Sequence, residues 1–214
     1  MQVAIFQFSL FGINTYVIFD PETKDCAIVD PGMSTLEEEK AISDFIAEKG
    51  LRVTQIINTH LHIDHVVGIP FLKEKFGAPV LGHEGDQFMG QRIDQQARMF
   101  GINFPIENIV LTEYIKDGDR IKVGHGELEV ISVPGHSKGS VALYDKEGGF
   151  LISGDALFQG SIGRTDLPGG NYRELLESIK NGLWKLPDET VVFPGHGPST
   201  TIGEEKRTNP FFNN

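Results

Sequence analysis

Three histidines and an aspartate fall within six residues of the stretch NTHLHIDHVVG, which runs from Asn58 to Gly68. In an extended segment, positions two apart point to the same side, so His60 and His62 share one target. Asp64 and His65 follow where the chain must turn into the next helix, and they can serve a neighbouring target. The two histidines of a thermolysin-type protease stand four apart on a helix, which is a different arrangement. Imidazole combined with carboxylate suits zinc, iron or manganese better than calcium or magnesium.

Four ligands from one loop cannot close two metal sites, so further donors are expected elsewhere. His136 in SVPGHS and His196 in VFPGHG each follow a strand end and a Pro-Gly pair. Glycine permits unusual backbone angles and close approach, so each ring can be aimed from a strand tip. Asp155 in LISGDALF has a similar place. The candidate set is therefore five histidines and two aspartates. His83, expected at a helix start, and His125, in the tight VGHGE turn, are not needed by it and read as surface residues. The sole cysteine, Cys26 in DCAIVD, excludes an intrachain disulfide and reads as a buried strand residue.

The elements that must carry these groups are short. VAIFQF, TYVIF and CAIVD read as strands, with a turn at Phe11–Gly12 between the first two. STLEEEKAISDFIAEKG reads as a helix, with Ser34 as N-cap, Glu37 completing a capping box and Gly50 as the stop. Leu36, Ile42, Phe45 and Ile46 would form its apolar stripe. VTQIIN is a strand entering the histidine loop, and a helix is expected from Ile69 to Phe76. ELEVISV, SVALYD and GFLISG read as strands, YRELLESIKNGLWKL as a helix closed by Pro187, and TVVFPG as a last strand. Grouped strands with helices after each group suggest sheets inside and helices outside.

The chain has 214 residues, 39% of them apolar, enough for one substantial core or two small halves packed together. A net charge of −11 repels phosphate backbones and argues against nucleic-acid binding. The N-terminus lacks a basic leader and a small-residue cleavage site, and no run approaches the length of a membrane span. A cytoplasmic protein without a membrane partner is expected. Its oligomeric state is not written in the sequence.

THLHIDH followed in order by PGHS, SGDALF and PGHG resembles the metallo-β-lactamase superfamily, over most of the chain from Asp30 to His196. The resemblance implies an α+β fold, the αββα sandwich, with two mixed β-sheets packed face to face and helices outside. It implies two divalent metal ions, zinc first and iron or manganese as alternatives. By motif position His60, His62 and His136 would bind one ion, and Asp64, His65 and His196 the other. Asp155 would bridge them. Asp30 in IVDPG would support the ligands from behind, or simply make an Asp-Pro-Gly turn.

Within that superfamily the segment GDALFQGSIGRTDLPGGN is similar to the glyoxalase II group, the hydroxyacylglutathione hydrolases. Two-zinc β-lactamases usually place cysteine where Asp155 stands and are exported. Typical glyoxalase II enzymes add a C-terminal helical region that helps hold glutathione. This sequence ends eighteen residues after His196, so residues 1–214 are expected to form a single hydrolase domain without that addition.

The expected reaction is hydrolysis of a small-molecule thioester, S-lactoylglutathione above all, by a metal-bridging hydroxide. Ions about 3.5 Å apart can share a water and bring its pKa near neutrality. The leaving thiol, with a pKa of about 8.5, needs little help from an acid. Asp64 is a ligand first and a candidate proton acceptor second. Arg164 is a candidate clamp for a substrate carboxylate, with an ion pair to Asp166 as the competing role. Lys138 and Tyr172 are further substrate-binding candidates, against a solvated turn lysine and a plain helix start. The rivals are a persulfide dioxygenase with a single iron, a lactonase, and a nucleic-acid-processing member of the superfamily.

Overall fold

The computed structural model describes residues 1–102 and 106–212. In the first sheet β1 (Gln2–Gln7), β2 (Asn14–Phe19), β3 (Asp25–Val29), β4 (Arg52–Ile57), β5 (Val80–Gly82) and β6 (Glu113–Tyr114) lie side by side in that order. The β1–β2 and β2–β3 pairs are antiparallel, and the pairs from β3 to β6 are parallel. The second sheet contains β7 (Arg120–Val123), β8 (Gly126–Ser132), β9 (Val141–Asp145), β10 (Phe150–Gly154), β13 (Val191–Pro194) and β14 (Thr200–Thr201). Their order is β14-β13-β10-β9-β8-β7, with β10 and β13 parallel and the other neighbours antiparallel. A small hairpin, β11 (Leu157–Phe158) and β12 (Ser161–Ile162), follows β10.

Side chains alternate across a strand, so a strand covered on both faces is apolar at every step. β2 shows this: Tyr16 and Ile18 meet the second sheet, while Val17 and Phe19 meet helices. β3 does the same, with Ala27 and Val29 facing one way and Cys26 and Ile28 the other. Burial pushes the Cys26 thiol up to about 12, so it is a packing residue with no reactive thiolate. The outer face of the first sheet is covered by α1 (Leu36–Lys49), α2 (Ile69–Phe76), α3 (Gln87–Gly90) and α4 (Ile93–Met99). The second sheet is covered by α5 (Tyr172–Asn181) and α6 (Ile202–Thr208). This is the αββα sandwich of two mixed sheets that the sequence suggested.

Several local expectations need correction. The N-cap of α1 is Thr35, with Glu38 completing the capping box, one residue later than Ser34 and Glu37. Thr35 holds the extended conformation that lets its Oγ1 accept from Glu38 N. Leu36, at the first turn, is 79% exposed, because the inward stripe begins only at Ile42 and continues at Ile46. The helix expected from Tyr172 to Leu186 ends at Asn181. Gly182 is its C-cap, and a separate 3₁₀ turn follows at Leu183–Lys185. β13 is not the last strand, since β14 pairs beside it. The stretch between β5 and β7, unassigned from sequence, contributes α3, α4 and β6. Among the described residues no helix is long and apolar enough to cross a membrane.

Glu38 also accepts hydrogen bonds from Ser9 N, Ser9 Oγ and Ser34 N, joining the turn after β1 to α1. Partial burial raises its pKa, but the donors at Ser34 and Ser9 outweigh it and hold the carboxyl below its ordinary value. A lowered pKa gives stability that is present above the unfolded value and lost as pH falls through the folded one. Glu38→Gln should therefore cost about 1 kcal/mol at neutral pH. Chemical denaturation across pH should show that cost shrinking below about pH 4.3, the ordinary glutamate value.

Candidate metal centre

β8, β10 and β13 run in the same direction, and with β4 their C-terminal ends meet at one edge of the sandwich. Ligands of open α/β sheets gather at that edge. His60 and His62 leave β4, His136 follows β8, Asp155 follows β10 and His196 follows β13. Asp64 and His65 lie in a 3₁₀ turn that leads into α2. Cross-links hold the two sheets together here. Asn14 N donates to Gly195 O at 2.7 Å, Asn14 Nδ2 donates to Pro194 O, and Val141 N donates to Thr59 O at 2.9 Å.

All seven candidate ligands converge. His60, His62 and His136 form one group, and Asp64, His65 and His196 form another. His136 Nε2 lies 2.8 Å from His62 Nδ1 and 3.2 Å from His60 Nε2. His196 Nε2 lies 3.1 Å from Asp64 Oδ2. Asp155 stands between the groups, with Oδ2 at 3.6 Å from His136 Nε2 and 3.7 Å from His196 Nε2, and Oδ1 at 3.5 Å from His65 Nε2.

The Pro-Gly pairs before His136 and His196 turn out to serve different ends. Gly135 has φ +129, and a Cβ there would strike the backbone of Leu175 in α5. A Cβ on Gly195 would lie 2.1 Å from Asp155 Oδ1, inside the donor cluster.

Hydrogen bonds fix the ring tautomers. Asp30, fully buried, accepts from Thr59 N at 2.8 Å and from Thr59 Oγ1 at 2.7 Å. With its proton given to Asp30, the Thr59 hydroxyl accepts from His60 Nδ1 at 3.1 Å. The same Asp30 carboxylate lies 3.1 Å from His65 Nδ1. His136 Nδ1 donates to Arg164 O at 2.7 Å and His196 Nδ1 to Phe11 O at 3.2 Å. The Nε2 atoms of His60, His136 and His196 are thereby left as lone-pair donors.

The two groups differ in charge. Burial, with the neighbouring imidazoles, holds His60 well below its ordinary pKa and takes His62 down to about 3. Neutral imidazole is the form that binds metal. Burial also acts against charge at His65, but Asp64, Asp155 and Asp30 outweigh it and raise the group to about 10. His196 rises for a similar reason, beside Asp64 and Asp155. Burial would raise Asp64, but His65 and His196 hold it at about 2. Without metal His65 is thus an imidazolium among carboxylates, and a cation entering the second group displaces its proton.

The donor set fits divalent cations. His65 Nε2 and Asp155 Oδ1 are buried and make no hydrogen bond. Buried polar atoms normally have partners, and an ion between them is one way to supply one. A cavity of about 520 Å³ opens onto Asp64, Asp155, His62, His136 and His196, with Phe11, Phe100, Phe158, Leu167 and Arg164 as its other walls.

The proposed substrate residues separate. Arg164 reaches the cavity, but its guanidinium is paired with both oxygens of Asp166 at 2.7 Å. Lys138 is exposed beside Gly169, and Tyr172 begins α5 with half its surface in solvent; neither lines the cavity. His83 caps a 3₁₀ turn, accepting from Gly85 N, and His125 is exposed beside Asp20 and Glu22.

Sequence reasoning missed Thr59, although it lies inside the quoted motif, and Asp86. The Asp86 carboxylate accepts from Leu61 N, Ser137 Oγ and Gly139 N, locking the His60–His62 loop to the turn that carries His136. No local pattern in GHEGDQF separates Asp86 from a surface acid.

The model of the metallo-beta-lactamase superfamily matches residues 9–196. Hydroxyacylglutathione hydrolase GloC of Haemophilus influenzae is 37% identical over 216 aligned residues, covering 100% of this chain and 99% of that protein. Among solved structures, the BLEG-1 B3 metallo-beta-lactamase is similar at TM-score 0.89 and 33% identity, over 100% of both chains. TTHA1623 in a di-iron-bound form is similar at TM-score 0.85 and 38% identity, over 99% of this chain and 100% of that one. That match takes in Asp30 and every strand end that carries a candidate ligand, on the same sandwich, and the chain belongs to the metallo-β-lactamase superfamily.

Proposed function

We propose that the chain is a metal-dependent thioester hydrolase acting on S-lactoylglutathione or a related acyl-thioester, with residues 1–214 as one hydrolase unit. Two divalent ions would be held, zinc ahead of iron or manganese. The observation that carries this reading is the lining of the large cavity. Beyond the donor cluster its walls are three phenylalanines, Leu167 and an arginine already paired. Among the described residues no Ser, Cys, Lys or Tyr side chain stands there as nucleophile or general acid. A departing amine requires a proton donor, whereas a thiolate, with a conjugate acid near pKa 8.5, leaves without one.

When bound, the ions supply an acidified water and positive charge opposite a developing oxyanion. His60, His62 and His136 would hold one ion and Asp64, His65 and His196 the other, with Asp155 shared. The tautomers set by Thr59, Arg164 O and Phe11 O keep Nε2 of His60, His136 and His196 turned toward the site. Phe11, Phe100, Phe158 and Leu167 give the cavity apolar walls, and charges interact more strongly beside such walls than in open water. In the reaction the water oxygen bonds to the acyl carbon, the carbon–sulfur bond breaks, and its electron pair leaves on sulfur. One water proton would pass to the Asp64 carboxylate in the cavity wall and on to solvent, and the second, lost from the product acid, would go to solvent directly.

The likeness to GloC supports the thioester class, and the likeness to BLEG-1 adds β-lactams to the compounds worth trying. Metal-loaded protein should be given acyl-thioesters, lactones, a β-lactam and glutathione persulfide, with metal quantified in the same sample. Thioester turnover should dominate, with two ions per chain. One iron per chain with oxygen uptake on the persulfide would overturn the reading, as would dominant lactone or β-lactam turnover.

A further inference from the structure

Beside the large cavity lies a smaller one of about 120 Å³, formed under α3 and α4. His62, Phe100 and Leu167 line both, so the small cavity adjoins the large one and shares one candidate ligand, His62, with it. Its remaining apolar walls are Phe88, Met89, Met99 and Pro168. Arg92, Gln95 and Gln96 are the other polar side chains on its lining, the first two exposed. Gln96 Oε1 accepts from Ile63 N and its Nε2 donates to Leu61 O and Met89 O. Arg92 is exposed and donates to Phe88 O at 2.8 Å.

Met99 is 62% exposed and Phe88 is 38% exposed at the mouth. Large apolar side chains left to solvent around a cavity mark a place where an apolar group binds. A lactoyl group, small and hydroxylated, would leave these walls bare. The volume is several times the space one water needs, which suits a short alkyl chain. The thiol half of a glutathione thioester carries two carboxylates and an ammonium. Those charges are poorly matched to walls that are mostly apolar, where Arg92 and Gln95, both exposed, are the groups free to meet a carboxylate. The acyl side is the apolar portion that matches these walls.

We propose that the groove bounded by Phe88, Met89, Met99 and Pro168 is an acyl subsite, and that the preferred substrates are thioesters of unbranched apolar acids of about four to six carbons. This rests on the thioester reading and narrows it. The hydrolysis is unchanged, with water supplying oxygen to the acyl carbon and sulfur leaving with the bond pair. Only the acyl group differs.

The test is a series of N-acetylcysteamine thioesters carrying acetyl, lactoyl, butanoyl, hexanoyl and decanoyl groups, turned over by metal-loaded protein. Each methylene buried should raise kcat/KM about fourfold until the groove is full, so the series should climb to hexanoyl and then stop climbing. Met99→Glu, a change at a largely exposed position, should bring the hexanoyl-to-acetyl ratio close to one. The non-hydrolysable S-hexyl and S-methyl thioethers of N-acetylcysteamine give a second readout by calorimetry. The hexyl compound should bind more tightly to the wild type, and Met99→Glu should erase the difference. Turnover of all members with no dependence on chain length removes the subsite and leaves the thioester reading standing. Turnover of none removes that reading, and the subsite with it.

Discussion

Asp155→Ala is expected to release both ions from the chain and to lower kcat/KM for any thioester by at least about 10²- to 10³-fold, the usual loss when one preorganised electrostatic stabiliser is removed. The reason is position. Its two oxygens are the ones that touch both donor groups, at 3.5 Å from His65, 3.6 Å from His136 and 3.7 Å from His196. Two cations side by side repel, and a carboxylate between them offsets that repulsion. His196→Ala provides the contrast, because His196 belongs only to the second group. It should leave the His60–His62–His136 ion in place and halve the metal content. Metal quantitation after dialysis reads both variants. If Asp155→Ala kept two ions, the bridging role would be wrong. If a His62→Ala, Asp155→Ala double variant kept its activity, the whole site assignment would fail.

The next largest effect should come from a residue that touches no ion. Asp30 takes two hydrogen bonds from Thr59 and stands 3.1 Å from His65 Nδ1. Through the Thr59 hydroxyl it also sets His60. One buried carboxylate thus orients a ring in each donor group. Loss of such a supporting carboxylate typically costs about 10- to 100-fold in metal affinity or activity, and Asp30→Asn should fall in that range. Asp30→Ala should do worse and should also destabilise the fold. Its φ of +51 suits Asp or Asn but strains alanine. In addition, the two Thr59 donors would lose their acceptor, each orphan costing about 1–3 kcal/mol, and His65 its neighbouring carboxylate. Metal titration and thermal unfolding on the two variants separate these contributions. Equal metal affinity in Asp30→Asn and wild type would show that Asp30 is merely the Asp-Pro-Gly turn that the sequence also allowed.

Much of the donor chemistry was legible before any coordinates. The spacing of His60, His62, Asp64 and His65 carried two targets within one loop, because strand periodicity alone decides which neighbours share a side. The Pro-Gly-His echo at His136 and His196 marked strand ends by glycine chemistry, and the apolar runs marked most of the strands. The local errors have local causes. Ser34 and Thr35 are both capping residues by type, Ser the better of the two, and it is Thr35 that holds the extended conformation with Oγ1 on Glu38 N. Leu36 looks inward on a helical wheel, yet it stands in solvent at the first turn, and the buried stripe begins at Ile42.

Other features belonged to the tertiary structure alone. Residues 60, 136 and 196 share one edge only because four strands from two sheets end together there, and no short-range pattern encodes that meeting. Arg164 reads as a substrate clamp in sequence, and in space Asp166 takes both branches of its guanidinium. Thr59 and Asp86 are an ordinary threonine and an ordinary acid until burial and three-dimensional neighbours give their hydrogen bonds direction. Residue type and spacing determined which atoms can bind a cation. Where those atoms meet, and the apolar groove beside them, was decided by contacts between distant parts of the chain, since side-chain periodicity acts over a few residues and the packing of two sheets acts over the whole sequence.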